Sequence, residues 1–223
     1  MNESPGIRLI TTDEGSHTLF RSDIGDVYHS RHGAIQESLL VFIENGFRYM
    51  NRIQEINLFE VGFGTGLNAL LTCMESNKRK VRTYYDTIEL YPLNPDLIAK
   101  LNYPELLNDT EKFFQKIHQG SWEEETEITP WFILRKIKED LTKYLPEKQY
   151  NLIYFDAFSP NVQPELWMPE IFRKMAGCLT PEGTLVTYSA KSSVRKALRA
   201  AGLKTEKLPG PPGKREMTRA LKI

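Results

Sequence analysis

The stretch NLIYFDAFSPNVQPELW, residues 151–167, ends an apolar run on a carboxylate and restarts after a proline turn. A strand that finishes on Asp156 and is followed by Phe158, Ser159 and Pro160 sets an acid and an aromatic ring at one point of the surface. There an Asp can hydrogen-bond an amine, orient its lone pair and receive its proton. Phe158 can pack against a ring, and Pro160 fixes the turn that presents both. The competing role for Asp156 is a helix N-cap, for which Asn161 or Gln163 is better spaced.

A second group is EVGFGTGLN, residues 60–68, with glycines at 62, 64 and 66 where a strand turns into a helix. Such a turn lets backbone amides and a ligand approach without Cβ collisions; a purely structural turn is the alternative. The spacing lacks the Gly-x-Gly-x-x-Gly of dinucleotide loops, whose helix N-terminus takes a pyrophosphate. Glu60 just before it would repel phosphates and suits a sulfonium or ammonium group, so S-adenosylmethionine is expected rather than NAD. Glu89 ends the next strand, where a carboxylate can accept from ribose hydroxyls, and Asp140 in KEDL follows the third, within reach of an adenine amino group. Each acid alone is more often a surface acid. On consecutive strand ends they share the edge where open α/β sheets bind ligands. The expected cofactor set is Glu60, Gly62, Phe63, Gly64, Thr65, Gly66, Asn68, Glu89, Asp140 and Asp156, with Asp156 and Phe158 at the reacting group.

These residues need a scaffold. Strand-like runs at 58–61, 83–90, 131–137, 151–155 and 183–188 alternate with helical patterns at 67–74, 104–118, 164–178 and 192–201. That order predicts a mostly parallel sheet covered on both faces. LKTEKL (203–208) and MTRALKI (217–223), joined by a turn starting PGPPGK, add an antiparallel hairpin. The result is a seven-stranded sheet of Rossmann-like methyltransferase outline. Residues 33–45 have helical spacing with Gly46 as a stop, and residues 1–32 resemble a small β-hairpin annex. One domain is expected over 1–223, with the core from 33 onward, because 223 residues suffice to bury about 70% of the unfolded surface.

Composition excludes some classes. At 40% hydrophobic and 26% charged, with no apolar run near the ~18 residues of a membrane helix and no apolar signal core in MNESPGIR, a cytoplasmic protein is expected. Cys73 and Cys178 lie in separate helical patterns and read as buried thiols. His17, His29, His32 and His118 lack metal-ligand spacing, so metal-free chemistry is expected. Net charge is zero, but from Thr187 onward ten Lys and Arg face only Glu206 and Glu216, while Glu123, Glu124, Glu125 and Glu127 form an acidic island. The basic segment suits a phosphate-tracking surface or solvated helix faces equally.

Taken together, DVYHS from Asp26, GAIQESLLVFI from Gly33, FEVGFGTGLN from Phe59, ELYP from Glu89, FDAFSP from Phe155 with PELW, VRKALRAAGL from Val194 and KREM from Lys214 resemble the tRNA 5-(aminomethyl)uridine methyltransferases called MnmD. That family is equivalent to the N-terminal methyltransferase half of bifunctional MnmC. The resemblance implies methyl transfer from S-adenosylmethionine to the amine of 5-aminomethyl-(2-thio)uridine at the tRNA wobble position, with other enzymes supplying the amine. It also implies a pocket mouth with Tyr28, Glu37 and Lys214 or Arg215, beside Phe158 and Pro160. Bifunctional relatives continue into an FAD-dependent domain, so a stand-alone form is expected. Relatives often have Gly after the catalytic Asp, where this chain has Ala157, and commonly a His where Leu40 stands. The rivals are a spermidine synthase-like aminopropyltransferase or another small-amine N-methyltransferase, an RNA-binding protein on the same fold without turnover, and an NAD-dependent oxidoreductase, which the glycine spacing opposes.

Overall fold

The computed structural model describes residues 6–51, 53–108 and 110–223. MNESP, the start of the segment without an apolar signal core, lies outside them. Strands β1 (Ile7–Thr11), β2 (His17–Arg21) and β3 (Asp26–Val27) pair antiparallel in that order, so the expected hairpin annex is a three-stranded sheet. Helix α1 (Ala34–Ser38) runs on into a π-helical stretch, Leu39–Phe47, and a 3-10 turn, Arg48–Met50. The expected stop at Gly46 is instead inside the helix. A Cβ there would lie 3.0 Å from the Tyr154 ring and 3.1 Å from Val186, so this glycine lets the helix press onto the sheet.

The core follows as β4 (Glu55–Val61), α2 (Leu67–Arg79) and β5 (Arg82–Ile88), then the short α3 (Pro95–Ile98), α4 (Tyr103–Leu106) and α5 (Glu111–Gln119). Next come β6 (Glu125–Thr129), β7 (Phe132–Ile137), β8 (Tyr150–Phe155), α6 (Pro169–Cys178), β9 (Leu179–Thr187), α7 (Ser192–Ala200), β10 (Leu203–Pro209) and β11 (Glu216–Lys222). The sheet order is β10-β11-β9-β8-β4-β5-β7-β6, with the five central strands parallel and both flanks antiparallel.

It has eight strands, not the seven expected. The extra one, β6, is built from the acidic island: Glu125 and Glu127 are exposed while Ile128 and Thr129 are buried, and the pairing to β7 breaks register between Glu127 and Thr129. Charge and a bulge at a sheet edge discourage further pairing. Two expected helices also divide. Asn108 takes a left-handed φ of 57° between α4 and α5. Met168, restricted by the following Pro169, is extended at ψ 151° between a 3-10 turn (Pro164–Trp167) and α6.

Period-two alternation sorts side chains to the sheet's two faces. Ile56, Leu58, Leu152 and Tyr154 pack with α2 residues such as Leu70 on one face. Phe59, Val61, Ile153 and Phe155 pack with Trp167 and Phe172 on the other. Near-continuous apolar strands are what a sheet covered on both sides requires. No helix among the described residues is long and apolar enough to cross a membrane.

Candidate active site

Strand order reverses at β4, which lies between β5 and β8, and the C-terminal ends of these strands open onto a cavity of about 690 Å³. The loop after β4 turns on Gly62, with φ of 91°, and Gly66, with φ of 73°. A Cβ on Gly62 would sit 2.7 Å from the Asp156 carbonyl oxygen, and one on Gly66 would sit 2.8 Å from His118 Nε2. Both glycines therefore serve the turn and the packing behind it. Glu89 holds this loop: its Oε2 accepts the Gly64 N–H at 3.2 Å and its Oε1 the Tyr91 N–H at 2.9 Å. At the far wall Asp140 accepts the Thr142 hydroxyl and amide at 2.7 and 2.9 Å, and these bonds keep its carboxyl below the ordinary range.

Asp156 follows β8, where its N–H donates to Val61 O at 2.9 Å. Its Oδ2 accepts from Asn68 Nδ2 at 2.8 Å. Burial, reinforced by the neighbouring Glu37 carboxylate, pushes Asp156 up to about 7, against the Asn68 hydrogen bond and the Lys214 charge. Its loop is pinned from behind: Trp167 Nε1 donates to Phe158 O at 2.8 Å and the Tyr188 hydroxyl to Ala157 O at 2.9 Å. Pro160 occupies the second position of the turn that Val162 N–H closes on Ser159 O at 2.9 Å.

Glu37 brings a second carboxylate. Its Oε1 pairs with Lys214 Nζ at 2.5 Å, its Oε2 accepts the Ser30 N–H at 2.7 Å, and Lys214 Nζ lies 4.1 Å from the centre of the Tyr188 ring. Opposite, the annex delivers Tyr28, edge-on to Phe158 at 4.9 Å, and Arg21, 5.8 Å from the same ring. One end of the cavity is thus two acids, one lysine and an aromatic pair.

Of the residues expected from the sequence, Gly62, Phe63, Gly64, Thr65, Asn68, Glu89, Asp140 and Asp156 line the cavity. So do Tyr28, Glu37, Phe158 and Lys214. Glu60, Gly66, Pro160 and Arg215 do not. Glu60 shares the α2 face with Leu58, is fully buried, and accepts from Thr87 Oγ1 at 2.7 Å. Burial raises it to about 8, so it stays largely protonated at neutral pH rather than facing a ligand as an anion. Arg215 is exposed outside the cavity. Arg21, Asp26 and Tyr188 also line it; Asp26 opens the DVYHS motif without having been assigned to the site, and no local motif marks Arg21 or Tyr188. Tyr188 could have been found as the residue closing the strand beside Asp156's.

Residues 98–223 match the sequence model of a family described as S-adenosyl-L-methionine-dependent methyltransferase. The chain belongs to that family. The methyltransferase is 32% identical over 95% of its length to the tRNA 5-methylaminomethyl-2-thiouridine biosynthesis bifunctional protein MnmC of Aromatoleum aromaticum, of which the match covers 35%. It therefore spans about a third of the length of such curated relatives. Among solved structures it is similar to MnmC2 from Aquifex aeolicus, with a TM-score of 0.79 and 26% identity over 98% of this chain and 71% of that one. Spermidine synthase from Thermotoga maritima, at 12% identity and a TM-score of 0.58 over 99% and 70% of the two chains, shares the fold.

The cavity suits the family's cofactor. Beside the glycine loop the Asp156 carboxylate, held by Asn68 Nδ2, and the Glu37 carboxylate line the cavity, an acidic end that suits a cationic sulfonium or ammonium group. Glu89 retains acceptor capacity beyond its two amides, and Asp140 remains ionised at the far wall. The volume lies within the range of small-molecule sites.

Proposed function

We propose that the methyltransferase N-methylates the exocyclic amine of 5-aminomethyl-(2-thio)uridine at the tRNA wobble position, giving the 5-methylaminomethyl form. The observation that carries this reading is the pairing of two carboxylates, Asp156 and Glu37, with the Tyr28–Phe158 aromatic pair at one end of the cavity. Carboxylates suit an amine and aromatic faces suit a base taken out of its stack. The relatives named for 5-methylaminomethyl-2-thiouridine biosynthesis support the substrate.

Glu89 and Asp140 would hold the ribose and adenine sides of the cofactor, and Gly62, Gly64 and Asn68 its amino-acid side. Bound there, S-adenosyl-L-methionine supplies an electrophilic methyl group. The chain's own task is to present a neutral nitrogen. An alkylamine arrives protonated, and Asp156, poised near pH 7, accepts that proton. Glu37 stabilises the arriving ammonium and Lys214 keeps the site from accumulating two uncompensated negative charges. Tyr28 and Phe158, packed edge-on to each other, offer the uracil one aromatic surface that fixes the amine relative to the methyl donor, an orientation effect that supplies much of such a rate enhancement.

The test is transfer of labelled methyl to tRNA from cells lacking the activity, read by nucleoside mass spectrometry, with polyamines as parallel acceptors. Label in 5-methylaminomethyl-(2-thio)uridine supports the reading. Label only in polyamines overturns the substrate while leaving the family intact.

A further inference from the structure

A second cavity, of about 590 Å³, lies behind the glycine loop. Helix α5 builds one wall with two rows of side chains at helical spacing. Phe114 and His118 face inward with their rings 4.5 Å apart, while Glu111, Gln115 and Gln119 form an exposed polar rim. Pro92, Leu93 and Ile98 supply an aliphatic wall, and Phe63 and Trp122, 6.0 Å apart and perpendicular, close the inner end.

Lys136 is the chemistry-bearing residue of this cavity. It projects from β7, is 1% exposed, and lies 5.1 Å from the Trp122 ring centre and 5.7 Å from that of Phe63. Its Nζ donates to the His118 carbonyl at 2.8 Å, and among the described residues no carboxylate pairs with it. An ammonium has three donors, so this one keeps hydrogen-bonding capacity and an uncompensated charge. Burial lowers its pKa to about 8, the signature of a cation that lacks a counter-ion. An apolar, aromatic-walled cavity of ligand size ending on such a cation has the make-up of an organic-acid site.

We propose that this cavity binds a small organic monoanion with a flat apolar body, its acid group on Lys136 and its body against Trp122 and Phe63, and that its occupancy is coupled to cofactor binding. The coupling follows from shared walls. Phe63 and Gly64 line both cavities, and His118 Nε2 donates to the Thr65 carbonyl of the glycine loop at 3.2 Å. The site is independent of the methyl acceptor.

The probe is 1-naphthoate, titrated calorimetrically against the full chain saturated with S-adenosylhomocysteine so that the first cavity is filled, with neutral 1-naphthamide as its isostere. Saturable one-to-one binding, at least tenfold tighter for the acid, is expected. Lys136→Met should erase that preference. Ile98→Trp, at the partly buried outer wall, should abolish binding of both probes while S-adenosylhomocysteine still binds, which keeps the test open should Lys136→Met not fold. Omitting S-adenosylhomocysteine should change naphthoate affinity about fivefold or more, the usual range of coupling. Equal affinity for acid and amide, no saturation at millimolar probe, or a preference retained in Lys136→Met overturns the site. Affinity identical with and without S-adenosylhomocysteine overturns the coupling.

Discussion

Asp156, just past the end of β8, and Glu60, one residue before the end of the neighbouring β4, are both carboxylic acids, yet burial and partners give them different tasks. Asp156 reaches the cavity and titrates near 7, so kcat should rise with pH through that value and level off once the acid is ionised. Replacing it, Asp156→Ala, should slow methyl transfer about 10²–10⁴-fold with cofactor affinity changed by no more than a few-fold, read by single-turnover rates and calorimetry. A normal rate in that variant would remove Asp156 from the proposed chemistry. Glu60 instead sits under the sheet, where Asn68 connects the two acids' surroundings. Unfolded, its carboxyl ionises near 4.5; folded, near 8. Between those values the folded state binds the extra proton, so this group's stabilisation is fully present below 4.5 and is lost as pH rises through 8. Glu60→Gln keeps the shape without the titration, and urea unfolding of the variant should lose about 1.4 kcal/mol per pH unit of the wild-type slope inside that window. An unchanged slope would mean Glu60 is ionised throughout.

At the scale of elements, the glycine loop and the C-terminal segment both carry more structural duty than their sequence suggests. Gly66→Ala must place a Cβ 2.8 Å from His118 at a left-handed φ of 73°, and should lower stability by about 1–2 kcal/mol or more in urea melts while weakening cofactor binding. Wild-type stability in this variant would show that the loop relaxes freely. The basic segment is largely committed to the fold. Arg195 and Lys207 pair with Glu216, Arg219 with Glu206, and Lys214 with Glu37, while Lys222 Nζ donates to the Ala176 and Leu179 carbonyls at the end of α6. A local excess of Lys and Arg in sequence therefore overstates the charge left for a polyanion.

For the whole molecule, a tRNA would have to meet the cavity through what remains unpaired near its mouth. Lys191, hydrogen-bonded to Asn161 of the Asp156 loop at 2.5 Å, and exposed Arg215, next to Lys214, are the two cations best placed. Each of Lys191→Ala and Arg215→Ala should weaken tRNA binding and reduce the log–log salt slope by about 1, with cofactor affinity unchanged. A slope unaltered in both variants would move the RNA path to another face.

The sequence by itself determined the parallel core, the terminal hairpin, the glycine turn and the acids at strand ends, because these depend on local periodicity and on residue types that tolerate few backbone states. Asp156, Phe158, Glu89 and Asp140 were legible for that reason. Which side of the sheet Glu60 faces followed from its register with Leu58 and Thr87, and is a property of paired strands. Arg21, Asp26 and Tyr188 join the cavity only because the annex and β9 fold onto it from distant parts of the chain. The eighth strand, the π-helical turn over Gly46 and the buried Lys136 likewise depend on long-range packing. In each case tertiary structure decided the outcome, since what a side chain does there is set by burial and by partners far away in sequence.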